Sequence, residues 1–195
     1  SGTVNTSVQV SATVQDSIPI VSSNSVALAI STGRPDQNSF SIAMETLNPM
    51  AWETNGVVVP VTIYVADHFN NPAPNGTAIA FRTEGGFIDG SCTTTNGQCT
   101  VNWVSTDPRP ADGRVTILAT AIGEEGFTDI NSNGRFDDGE PFTDLPEAFL
   151  DANESGAYDP LDEEFVDFVN YSFYDTANSL YNGTLCSQGS TLCDP

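Results

Sequence analysis

Residues 129–140 read Asp-Ile-Asn-Ser-Asn-Gly-Arg-Phe-Asp-Asp-Gly-Glu. Oxygen-bearing side chains stand at the first, third, fifth, ninth and twelfth places, with a glycine at the sixth. A chain wound around one hard cation presents oxygens at this spacing, D-x-[DN]-x-[DN]-G-x5-E. Asp129, Asn131 and Asn133 supply side-chain oxygens, Arg135 its main-chain carbonyl, and Asp137 an oxygen directly or through water. Glu140 closes the shell with two oxygens, and Gly134 permits the sharp bend. Calcium fits because it takes about six to eight oxygens in flexible geometry.

A second copy begins 22 residues later, where residues 151–162 read Asp-Ala-Asn-Glu-Ser-Gly-Ala-Tyr-Asp-Pro-Leu-Asp. Asp151, Asn153, Ser155, Gly156, Asp159 and Asp162 take the equivalent places. Ser155 and Asp162 are weaker ligands than their counterparts, although Glu163 lies next door. Both copies carry an aromatic at the eighth place, Phe136 and Tyr158, expected to pack inward behind the ion. Asp144 and Glu147 lie between the copies, placed to complete either site. A degenerate echo runs from Asp167 through Asn170 to Asp175, but Val169 occupies its third place and it is not counted as a site. The plainer reading is a solvated acidic loop. Two tandem copies with aligned glycine and aromatic positions favour calcium, with two or more ions expected.

Charge supports a cation-dependent segment. Acids outnumber bases 26 to 5, for a formal charge of -21, and every base is Arg. Residues 124–195 hold 17 of the acids and one Arg. Carboxylates at that density either keep a chain unfolded or fold around cations. The same charge repels phosphate backbones and anionic headgroups, which argues against nucleic-acid and membrane-surface roles. No apolar run is long enough to cross a bilayer as a helix. Ser1 opens the chain without Met or a leader, so the chain reads as processed or cut from something longer.

Other chemistry is poorly supplied. His68 is the sole histidine; it falls in an expected turn without a nucleophile nearby and reads as a surface or turn residue. Paired glycosidase carboxylates need a cleft and a raised pKa, and neither is visible in the sequence. Trp52, Trp103 and Tyr174 are candidates for a sugar-stacking platform, but Trp103 alternates inward and is expected in the core. The Asn75-Gly76-Thr77 and Asn182-Gly183-Thr184 triplets are compatible with glycosylation and read as turns.

Cys92 and Cys99 enclose six residues, as do Cys186 and Cys193. The first pair brackets Asn96-Gly97, which favours a tight hairpin. Two local disulfides are expected, and with them an oxidising compartment. Zinc ligation would prefer closer spacing and more His.

Strands must carry these features. Residues 7–14, 25–30, 39–46, 57–66, 77–82, 99–105 and 114–122 alternate apolar and polar side chains, separated by Gly, Pro and Asn turns. Seven such segments predict an all-β fold, an antiparallel β-sandwich with a loop-rich acidic lobe at its C-terminal end. Pro60 predicts an edge or a bulge in its strand. The expected organisation is strands over 1–31, a linker over 32–37, a sandwich over 38–123, and an acidic lobe with a disulfide loop over 124–195.

VVVPVTIYVADHFNNPAPNGTAIAFRTEGG, CTVNWVST and GRVTILATA together resemble the bacterial Ig-like domains of the invasin/intimin type. Asp67 opens an Asn/Pro-rich turn and Asn75-Gly76-Thr77 starts the next strand. SVALAISTGRPDQNSFSI looks like a junction between two such domains. The resemblance covers about residues 1–123. It implies an Ig-like fold, a non-enzymatic role in stacked surface rods, and an extracellular or cell-surface location. The acidic loops resemble those of dockerins and bacterial surface modules, since the flanks are not long amphipathic helices.

The function expected is a calcium-rigidified structural or adhesive module of a bacterial surface protein or filament. Its partners would be calcium and neighbouring Ig-like modules or identical subunits meeting at β-edges. One alternative is a fibre subunit assembled by intermolecular β-strand addition, with residues 1–31 as donor. Another is a carbohydrate-binding accessory domain.

Overall fold

A computed structural model describes residues 10–25, 33–168 and 170–194. Most of the expected strand 25–30 lies outside them, as do residues 1–9. Among the described residues the protein is all-β, apart from one 3-10 turn over Gln37–Ser39. A hairpin opens it, β1 (Ser11–Thr13) against β2 (Ser22–Asn24).

The sandwich comprises β3 (Phe40–Met44), β4 (Val58–Val65), β5 (Ala78–Thr83), β6 (Phe87–Ile88), β7 (Ser91–Thr93), β8 (Gln98–Val104) and β9 (Ile117–Thr120). One sheet has the order β3-β4-β8-β6 and the other β7-β5-β9, with antiparallel pairing throughout. Strict alternation drives the layering. Val59, Val61, Ile63 and Val65 point from β4 into one core with Ile79 and Phe81 of β5 and with Val101 and Trp103 of β8. Each such side chain contributes roughly 1.5–3 kcal/mol on full burial. Trp103 is core, with its indole N–H on the Gly85 carbonyl at 2.9 Å. Gly86 (φ +74°) lies flat against that ring, where a Cβ would come within 2.8 Å.

Pro60 is not on a sheet edge, because β4 lies between β3 and β8. The ladder explains why it is tolerated. The β3 pairing stops at Met44↔Val61, and Glu45 N–H reaches the Pro60 carbonyl at 3.1 Å. The missing N–H of Pro60 therefore faces the side where pairing has ended.

Cys92 and Cys99 are bonded, as are Cys186 and Cys193, each pair with Cα atoms 6.1 Å apart. Asn96 (φ 53°) and Gly97 (φ 72°) form the turn between β7 and β8, both left-handed. Since β7 belongs to one sheet and β8 to the other, Cys92–Cys99 ties the two layers together at a corner. Two disulfides mark a protein of a non-cytoplasmic, oxidising compartment. Among the described residues no helix is long and apolar enough to cross a membrane.

The acidic lobe follows β9 and ends in a short parallel pair, β10 (Tyr181–Asn182) with β11 (Cys193–Asp194). It is anchored by main-chain bonds. Glu124 N–H donates to the Pro35 carbonyl at 2.8 Å, and Gln37 N–H to the Glu124 carbonyl at 3.0 Å. Pro35 and Asp36 are therefore buried against the sandwich, although the sequence reads as a linker there.

Candidate metal centre

The lobe has little regular structure, so side-chain carboxylates organise its backbone. In the first loop Asp129 accepts the N–H groups of Asn133 (3.2 Å) and Gly134 (2.7 Å). Glu140 accepts those of Ile130 (2.8 Å) and Asp137 (3.0 Å). Asn133 Oδ1 accepts the N–H of Arg135 at 2.7 Å. The chain turns through left-handed residues at Ser132 (φ 60°) and Gly134 (φ 74°). The amide groups of Asn131 and Asn133 both donate to Asp137, at 2.7 and 2.6 Å. Hydrogen bonds from Ser187, Asn131 and Asn133 hold the Asp137 carboxyl below its ordinary pKa. It stays ionised, as a cation ligand must.

The second loop repeats the main-chain contacts to its opening Asp, and its closing Glu takes one donor displaced by a residue. Asp151 accepts the N–H groups of Ser155 and Gly156, each at 2.9 Å. Glu154 (φ 54°) and Gly156 (φ 74°) are left-handed. The closing carboxylate is Glu163, which accepts from Asn153 (3.4 Å) and Asp159 (2.9 Å). Glu163 is buried while Asp162 is exposed. The second loop is thus one residue longer than the first, and its closing oxygens come from the residue after the sequence-matched place.

Two further loops follow the same pattern. Asp167 accepts the N–H groups of Tyr171 (3.2 Å) and Ser172 (2.8 Å). Glu147, which precedes it in the chain, accepts those of Phe168 (2.7 Å) and Asp175 (3.0 Å). Those four donors stand one, four, five and eight residues after Asp167. In the first loop the donors stand at the same four offsets from Asp129. Tyr171 occupies the fifth place, and Val169 at the third lies outside the described residues. The fourth loop is discontinuous. Asp144 accepts from Asn178 (3.1 Å) and Ser179 (2.7 Å), and Glu125 from Leu145 (2.7 Å) and Asn182 (2.9 Å). Asp144 and Glu147 therefore each organise a loop of their own.

The eighth-place aromatics join the loops in pairs. Phe136 stacks on Tyr181 (4.6 Å, 24°) and Tyr158 on Tyr174 (4.2 Å, 23°). Each stack is flanked edge-on by two Phe rings. Phe127 and Phe142 flank the first; Phe149 and Phe165 flank the second. Residues 125–145 (EGFTDINSNGRFDDGEPFTDL) thus align with 147–168 (EAFLDANESGAYDPLDEEFVDF), one residue longer. The second unit is inserted whole into the fourth loop of the first, between Leu145 and Asn178. Glu147 N–H donates to the Asp175 carbonyl at 3.0 Å and closes the ends of that insertion. Two arginines tie it to the sandwich: Arg82 donates to the Phe165 carbonyl at 3.0 Å, and Arg114 pairs with Glu154.

The buried groups sit at the junction with the sandwich. His68, in the turn after β4, is largely buried rather than on the surface; its side chain is 12% exposed. Its Nδ1 lies 3.1 Å from the buried Asp36 carboxylate, and its ring stacks on Phe127 (4.1 Å, 5°). Burial raises the pKa of Glu125. Burial also raises that of Tyr181, with Glu124, Asp36 and Glu125 adding to it.

Among the described residues no three His, Cys, Asp or Glu side chains are gathered into a ready-made metal cluster. Ligation in these loops would draw on Asn, Ser and main-chain oxygens beside the carboxylates. The first loop carries the fullest set: Asp129, Asn131, Asn133, Arg135 through its carbonyl, Asp137 and Glu140. In the second the set is Asp151, Asn153, Ser155, Asp159 and Glu163. Compared with known proteins, the chain matches no family, no curated protein and no solved structure.

Proposed function

We propose that this protein is an extracellular, calcium-binding structural module of a bacterial surface protein, in which calcium rigidifies the acidic lobe against an Ig-like sandwich. The observation that carries the reading is the shared hydrogen-bond pattern of the first two loops. In each, an opening Asp and a closing Glu fix the backbone through the same kinds of contact, while Asn, Asp and Ser oxygens remain at the ligating places. A hard cation bound there neutralises carboxylates that otherwise repel one another. The stacked aromatics behind the loops supply the apolar floor. The two disulfides support the extracellular part of the reading. The role is mechanical, a stiff spacer in a surface protein, and needs no catalytic group.

Calorimetric titration of metal-stripped protein tests it. Binding of at least two calcium ions is expected, with saturation at millimolar extracellular levels. Calcium at about a hundredfold over its Kd adds about 2.7 kcal/mol of stability per site. A chelator should therefore lower the melting temperature and open residues 124–175 to protease. Heat of binding indistinguishable from dilution would sink the proposal.

A further inference from the structure

Among the described residues the sandwich core is open on one side. β3 ends one sheet and β9 ends the other. β7 is held over β8 by the Cys92–Cys99 bond, which leaves β9 facing β3. Ile42 sits directly across the ladder from Ile63, on the same inner face, yet Ile42 is 46% exposed and Ile63 fully buried. All four residues of β9 are half-buried. A cavity of about 850 Å³ runs between Phe40 and Ala119 at one end of this seam, and one of about 500 Å³ between Met44 and Ile117 at the other. Neither edge carries a charge, a proline or a lysine, the devices by which sheet edges avoid pairing.

Among the described residues the same chain carries an exposed apolar hairpin. Val10, Ala12 and Val14 share one face of the β1 segment, and Val14 N–H bonds the Val21 carbonyl across the hairpin at 2.9 Å. Ser11, Thr13, Ser22 and Asn24 lie on the opposite face. Val10, Val14 and Val21 are 60%, 57% and 55% exposed. A two-stranded sheet with a bare apolar face is marginal in water. Charge selects the occupant of the seam. Two copies at -21 repel one another, but residues 10–25 hold a single charged residue, Asp16, so this hairpin approaches a second copy at little electrostatic cost.

We infer that the seam between β3 and β9 is a strand-accepting groove, and that its occupant is the β1–β2 hairpin of a second copy of this chain. Main-chain bonds to an open edge supply affinity, and Val10, Ala12 and Val14 enter the space beside Ile42. Reciprocal insertion closes a dimer; one-way insertion propagates a filament. The inference is independent of the calcium reading.

Sedimentation velocity on the full chain tests it between about 1 and about 100 µM, the range that brackets a micromolar contact. Association that grows with concentration and with added salt is expected. Val14→Asp on the hairpin and Ile42→Asp in the groove should each weaken it at least about tenfold. Mixing the two variants should restore association, because one supplies an intact groove and the other an intact hairpin. Should Ile42→Asp fail to fold, Val14→Asp decides alone. A wild-type protein that stays monomeric over the whole range, including one whose hairpin folds back on its own seam, overturns the inference. So does association that Val14→Asp leaves unchanged.

Discussion

Tyr158 stacks on Tyr174 at 4.2 Å across the boundary between two loops, and each ring stands at the eighth place of its own loop. Phe136 and Tyr181 stand in the same relation in the other unit. Each loop therefore sends one ring inward to a partner loop. An ion that fixes one loop also fixes the ring against which the other is built. Loops paired in this way share the entropy cost of ordering, so ordering one favours the other.

Glu163, not Asp162, closes the second loop. Glu163→Gln should weaken calcium binding there by about tenfold or more, since one charged oxygen is lost from the shell. Asp162→Asn should leave affinity within about twofold. Calorimetric titration of both variants decides between them; an Asp162 variant as damaged as the Glu163 variant would show the loop closing at the twelfth place.

The hydroxyl of Tyr181 is fully buried with no hydrogen-bond partner among the described residues. Removing an unpartnered buried polar atom recovers its desolvation cost, about 1 kcal/mol or more. Tyr181→Phe should therefore raise the melting temperature by a few degrees while keeping the stack on Phe136. A lower melting temperature would mean that the hydroxyl has a partner, such as a bridging water.

The sandwich strands were legible in the sequence because alternation and burial agree. Val59, Val61, Ile63 and Val65 form one apolar row, and the row is the core face. The Pro60 rule pointed to an edge or a bulge and missed that a ladder can stop beside a central strand. In the lobe, the Asp129–Glu140 turn was readable because the residues that organise it fall within one short stretch. Glu163 was displaced by one inserted residue, which a fixed spacing cannot accommodate. The third loop showed only as a degenerate echo and the fourth escaped, for another reason. Glu147 precedes the loop it closes, and the fourth loop draws on Glu125, Asp144 and Asn178 with a whole unit inserted between the last two. The signal available was the repeated Glu-x-Phe-x-Asp at 125–129 and 147–151, which marks the start of each unit. His68 gave no sign of burial, because its partners Asp36 and Phe127 are distant in sequence.

The Cys92–Cys99 bond joins the two sheets rather than pinning a loop. Replacing both with Ala should cost about 2–3 kcal/mol through the freed unfolded chain. The loss should appear in the cooperative unfolding of the sandwich, read by the buried Trp103. Unchanged unfolding monitored at Trp103 would assign the bond a purely local role.

The His68–Asp36 contact gives stability a pH dependence of definite sign. The hydrogen bond that the His68 ring donates to the Asp36 carboxylate raises the His68 pKa above its ordinary 6.5; burial opposes it, and the charges of Asp36, Glu124 and Asp129 add to the rise. A group with a raised folded-state pKa contributes stability that is complete below the unfolded value and is lost as pH climbs through the folded one. The contribution is therefore full below pH 6.5 and fades above it, with a slope of at most about 1.4 kcal/mol per pH unit. Melting temperatures measured in excess calcium, with the loop carboxylates saturated, should fall from pH 6.5 upward. His68→Gln should flatten that slope and be least stable relative to wild type at the acidic end. A wild-type profile flat between neutral and mildly acidic pH would show that the histidine stays neutral beside Asp36 throughout.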